Sequence, residues 1–119
     1  MSPIYRILVK THHITSRKKI IALTAAAKKN SCSVILKVGD PPGIMLAEGE
    51  GALQWLKVVK KLRYKDYDLR KKELVETALL KLKPGQVLEL NSVKELASFL
   101  GIREDLLEWW RVNMGYKKV

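Results

Sequence analysis

Sulfur and acid are both scarce in this chain, and each shortage narrows what it can be. Cys32 is the one cysteine, so no internal disulfide framework is available, and its surroundings, "SCSVILK", hold no His or second Cys for a metal site. A reducing compartment is expected. Long apolar runs are missing too: the longest, "IIALTAAA", falls well short of the roughly 20 residues that span a bilayer, and "MSPIYRILVK" lacks the sustained apolar segment of a signal peptide. The reading is a soluble protein with no membrane partner. "GDPPGIMLAEGEG" has glycines without the strand–GxGxxG–helix or P-loop order of a nucleotide site, and its turn chemistry suffices to explain them. Asp40, Glu48 and Glu50 have no accompanying nucleophile or second ligand cluster, so no catalytic constellation, cofactor site or small-molecule substrate is indicated. A non-catalytic protein is expected.

What the chain does have is cations. Twelve Asp+Glu stand against 23 Lys+Arg, a net charge of +11 and a pI near 9.9, which favours a polyanionic partner. The excess is not spread evenly. Residues 1–72 hold 16 Lys+Arg against 5 Asp+Glu, whereas residues 73–119 hold 7 of each. This partition suggests one subregion that meets an anion and another that completes the fold.

With 119 residues, 47% of them hydrophobic, one core and one domain are expected. Tyr5, Ile7 and Val9 alternate with Arg6 and Lys10 as in a half-buried strand. Thr15 or Ser16 caps a helix to about Asn30, with a core stripe of Ile20, Leu23, Thr24 and Ala27. "SVILKV" and "IMLAEGE" flank the break "GDPPG" as a hairpin. A second helix over Gly51 to Leu62 puts Trp55, Leu56 and Val59 on one face and Lys57, Lys60 and Lys61 on the other, and "YKDYDLR" supplies a weak fourth strand. This order, βαββαβ, is the ferredoxin-like α+β pattern. Residues 73–119 read as a helical extension: "ELVETALLKL", a Pro84-Gly85 break, a capping box at Ser92 and Glu95, and a last helix that stops near Gly115. It is expected to pack on residues 1–72, over the sheet face that the two helices leave open, covering Leu8 and Ile35.

His12-His13-Ile14 followed by Ser16 and Lys19, then Pro42-Gly43-Ile44 before Glu48-Gly49, then Trp55 ahead of Leu62 and Tyr64, resemble the carboxy-terminal domain of RWD-domain-containing protein 2. Leu90, Leu96, Phe99-Leu100 and Met114-Gly115 extend the resemblance over nearly the whole chain. That family includes the carboxy-terminal domain of pre-mRNA processing factor 3, a spliceosomal protein. The resemblance implies a ferredoxin-like core, contact with small nuclear RNA and a eukaryotic nuclear or cytosolic setting.

The candidate nucleic-acid contacts are His13, Ser16, Arg17, Lys18, Lys19, Lys29, Lys57, Lys60 and Lys61. Three cations in a helix's first turn oppose its dipole at a cost of about 0.3–1 kcal/mol each, which a phosphate would offset; a solvated first turn is the plain alternative. His12 and His13 are neighbours on an extended segment and point to opposite sides, which disfavours a shared metal. "GIMLAEG" lacks the aromatics that RNA-recognition motifs use to stack bases, so phosphate and shape recognition is expected instead. Trp109 and Trp110 diverge by roughly 100° on one helix, so one is expected in the core and the other in a protein-contact patch. That patch, or an acidic or helical partner on the basic surface, defines the alternative to RNA.

Overall fold

The computed structural model describes residues 3–118. Its elements are β1 (Ile4–Thr11), α1 (Arg17–Lys29), β2 (Ser33–Lys37), β3 (Gly43–Gly49), α2 (Ala52–Lys61), β4 (Asp68–Val75), β5 (Val87–Leu90), α3 (Val93–Leu100) and α4 (Glu104–Met114). The strand order is β4-β1-β3-β2-β5. The first four strands are antiparallel to their neighbours, and β5 runs parallel to β2. Residues 4–75 thus form a ferredoxin-like βαββαβ sandwich, and the rest of the chain adds an edge strand and two helices.

Each face of the sheet has its own core. Ile7 and Val9 of β1 and Met45 and Ala47 of β3 point toward α1 and α2, where Leu23, Ala27, Trp55 and Val59 meet them. The indole N–H of Trp55 donates to the Leu23 carbonyl at 3.1 Å, satisfying the one polar atom of a side chain buried between the two helices. Leu8, Ile35, Ile44 and Leu46 face the other way, against Leu96, Leu100, Leu106, Trp110 and Met114. Burying each large apolar side chain is worth about 1.5–3 kcal/mol. The extension therefore covers a sheet face that would otherwise expose a contiguous apolar patch.

Local signals set most element ends. The Ser16 hydroxyl accepts from the Lys19 N–H at the start of α1, and Ser92 accepts from the Glu95 N–H while Glu95 reaches back to the Asn91 N–H at the start of α3. Gly115 closes α4 at φ +81°, a left-handed position that suits glycine. Gly51 serves close approach: a Cβ there would lie 1.9 Å from the Asn30 carbonyl oxygen, so only glycine lets the start of α2 abut the end of α1.

Two expectations fail in the second part. "ELVETALLKL" is not a helix: its first three residues finish β4, which runs past the expected Arg70 end, and residues 76–83 are irregular. Residues 73–75 pair with Ile4 to Arg6 of β1, and the buried Oε1 of Glu48 accepts the Leu79 and Leu80 N–H groups, both at 2.8 Å, which fixes the irregular segment over the second core. Nor is the extension wholly helical, because "VLEL" forms β5 by pairing with β2.

Candidate nucleic-acid interface

The sheet register decides which cations meet. Thr11 pairs with Gly43 and Lys10 with Asp68, so the end of β1, the start of β3 and the start of β4 share one end of the sheet. The chain enters α1 and leaves α2 at that end. It brings the first turn of α1, Arg17 to Lys19, beside the last turn of α2 with Lys60 and Lys61. The α2–β4 loop closes over the gap, tied to β1 by the His12 N–H donating to the Lys65 carbonyl at 2.9 Å. Arg63 and Asp66 bend this loop with φ of +53° and +56°, strained positions for residues with a Cβ.

A pocket of about 200 Å³ lies there. Lys19, Arg63 and Lys65 line it from two separate elements, with Tyr64 as a wall and His13, Thr15 and Ser16 at the α1 side. No carboxylate lines it. The Lys19 ammonium rests over the Tyr64 ring, 4.8 Å from its centroid, an arrangement that steadies the cation without neutralising it. Burial pushes the Tyr64 phenol up to about 12, so it stays protonated at neutral pH.

The wider surface is equally one-sided. α1 and α2 together carry Arg17, Lys18, Lys19, Lys28, Lys29, Lys57, Lys60 and Lys61 and no acid. On the opposite face α3 and α4 carry Lys94 and Arg111 against Glu95, Glu104, Asp105 and Glu108. Lys18, Lys57, Lys60 and Lys61 are exposed and take part in no ion pair among the described residues.

Individual candidates fare differently. Arg17 is not free for phosphate: its guanidinium grips both carboxylate oxygens of Glu89, one at 3.2 Å. An internal anion from β5 therefore offsets part of the counter-dipole charge of the first turn. Ser16 is engaged as the helix cap, leaving its hydroxyl proton to donate. His13 is exposed, with Nδ1 3.4 Å from the Thr15 hydroxyl, while His12 is half-buried and stands 3.6 Å from Asp66. Among the described residues no three His, Cys, Asp or Glu side chains cluster as a metal site. Lys29 sits at the far end of α1, about 18 Å along the helix from Arg17 at 1.5 Å per residue, and does not join the pocket cluster.

The tryptophans do not form an exposed contact patch. Trp110 is 2% exposed and belongs to the second core. Trp109 is half-buried, its N–H donating to Glu73 and its ring carrying the Arg6 guanidinium at 5.4 Å. Arg63 and Lys65, by contrast, are site residues that sequence reasoning passed over. Their signal was the basic run from Lys60 to Lys65, hidden by reading "YKDYDLR" as a strand.

No family model and no curated protein matches the chain. Among solved structures it is similar to a chain described as BlrP1 BLUF, with a TM-score of 0.56 and 14% identity over 76% of this chain and 66% of that one. It is also similar to the structure of a bacterial light-regulated adenylyl cyclase, with a TM-score of 0.58 and 14% identity over 94% of this chain and 40% of that one. The chain thus spans about two thirds and two fifths of their lengths. Likeness at this identity shows the ferredoxin-like fold alone.

Proposed function

We propose that this protein is a small non-catalytic RNA-binding domain that grips the phosphate backbone through the α1–α2 face, in the nucleus or the cytoplasm. The observation that carries the reading is the charge asymmetry of the two helical layers, eight cations without an acid on one and a net acidic balance on the other. Lys18, Lys19, Lys57, Lys60 and Lys61 are the contacts, joined by Arg63 and Lys65. The resemblance to the carboxy-terminal domains of RWD-domain-containing protein 2 and pre-mRNA processing factor 3 supports the same partner. With about seven phosphates contacted on a single strand, the logarithm of affinity falls with the logarithm of salt at a slope of about −5. Fluorescence anisotropy across a salt series tests this. Lys18→Glu with Lys60→Glu weakens binding and leaves the thermal melt unchanged; absence of RNA binding at low salt refutes the reading.

One feature favours a second reading, an acidic protein segment on the same face. Ile21 is 65% exposed in mid-helix, in a groove of about 410 Å³ whose free cation is Lys28, Arg17 there being paired with Glu89. Partner capture from cell extract that survives nuclease treatment selects it over RNA.

A further inference from the structure

We propose that the pocket between the β1–α1 connection and the α2–β4 loop seats a terminal phosphate monoester, the phosphorylated end of an RNA chain; the proposal rests on the RNA reading above. Charge is the first reason. Lys19, Arg63 and Lys65 converge on the pocket with no carboxylate in its lining, and none of the three stands in an ion pair among the described residues. A dianionic monoester gains about twice the Coulombic attraction of a singly charged phosphodiester at the same distances.

Size is the second. A cavity of about 200 Å³ admits a phosphate with part of its sugar. The wall is the third. Tyr64 is 8% exposed, and its hydroxyl is buried without a hydrogen-bond partner among the described residues. Because Lys19 already occupies its ring face, base stacking there is closed off. The start of α1 is not what makes this pocket: the Lys19 N–H is taken by Ser16, and the Arg17 guanidinium is taken by Glu89. A chain whose end is seated here continues over Lys18, Lys60, Lys61 and Lys57 on the adjoining helices.

The test compares three forms of one short single-stranded RNA, with a 5′ phosphate, a 3′ phosphate, or hydroxyls at both ends, by anisotropy at fixed salt. One phosphorylated form binds about tenfold tighter than the hydroxyl form, the scale of one charge-assisted hydrogen bond, and the preferred end identifies the source of the monoester. Arg63→Gln and Lys65→Gln each abolish that preference, whereas Lys57→Gln weakens all three RNAs alike; matched thermal melts establish that the variants fold. Equal affinity for the three RNAs overturns the proposal, as does a preference that persists in both pocket variants. If no RNA binds, the RNA reading fails by itself, and amide shifts with inorganic phosphate and pyrophosphate then judge the pocket. Shifts centred on Lys19, Arg63 and Lys65 that vanish in Arg63→Gln sustain the seat, and their absence overturns it.

Discussion

Removing the charge of Glu48 should cost more stability than almost any other single-atom change in this protein. Its carboxylate lies between β3 and the irregular segment 76–83, with a side chain 1% exposed opposite an Arg6 side chain 7% exposed. Oε2 accepts from Arg6 Nε at 2.8 Å, and Oε1 accepts from the Leu79 and Leu80 N–H groups. Arg6 in turn donates to the Thr77 carbonyl at 3.3 Å and lies over Trp109. Glu48→Gln keeps an oxygen for the two N–H groups but presents an NH₂ group to a guanidinium donor, leaving a buried cation uncompensated. Breaking a buried pair in this way costs about 3–5 kcal/mol, a large share of the about 5–15 kcal/mol expected of a domain. Arg6→Met strands the anion instead and is similarly costly. Arg6→Met with Glu48→Gln removes both charges and retains the acceptor for Leu79 and Leu80, so the double variant is more stable than either single one. Urea unfolding followed by tryptophan fluorescence and far-ultraviolet circular dichroism supplies the cycle. Because the pair is shielded from solvent, the coupling changes little between low and high salt. Strictly additive losses, or single losses below about 1 kcal/mol, would refute the argument that this pair pins the extension to the sheet.

Other perturbations reach other parts of the molecule. Burial raises the Cys32 thiol from 9.0 to about 11 and the Tyr64 phenol from 10.0 to about 12; the unfolded chain loses these protons first as pH rises. Stability is therefore complete below about pH 9 and falls through pH 9–12 by up to about 1.4 kcal/mol per pH unit for each group in its window; Cys32→Ala delays the onset in alkaline melts. Gly51→Ala forces a Cβ against the Asn30 carbonyl and should lower stability by about 1–3 kcal/mol, whereas Gly115→Ala, which meets only the tip of Arg70 at 3.5 Å, pays mainly for its φ of +81°, about 1 kcal/mol; denaturant midpoints rank them. Glu89→Gln releases Arg17 from an exposed pair, so thermal stability changes by less than about 1 kcal/mol while RNA affinity at low salt rises. An unchanged or weaker affinity would show that Arg17 has no access to the ligand.

Residues 1–62 were legible because their signals are local. The alternation through β1, the apolar stripes of α1 and α2 and the cap at Ser16 act within one or two turns, where side-chain direction follows directly from backbone period, as do the caps at Ser92 and Gly115 further along the chain. The same holds for the concentration of cations on α1 and α2, since amphipathic spacing places apolar and charged residues on opposite sides of one helix. Residues 63–90 were not legible in this way. "ELVETALLKL" has helical spacing, yet its first residues pair with β1 and Glu48, some 30 positions earlier, binds the Leu79 and Leu80 N–H groups, and "VLEL" becomes a strand only because β2 offers an unpaired edge. Likewise Arg17 finds Glu89 across 72 positions, and Lys19 meets Arg63 and Lys65 only because β1, β3 and β4 bring their ends together. Composition and periodicity thus determined the helical layers, the ferredoxin-like order and the charge they carry. Tertiary structure decided which cations remain free and which tryptophan is buried, because hydrogen bonds and ion pairs between distant segments depend on packing geometry that no short stretch of chain encodes.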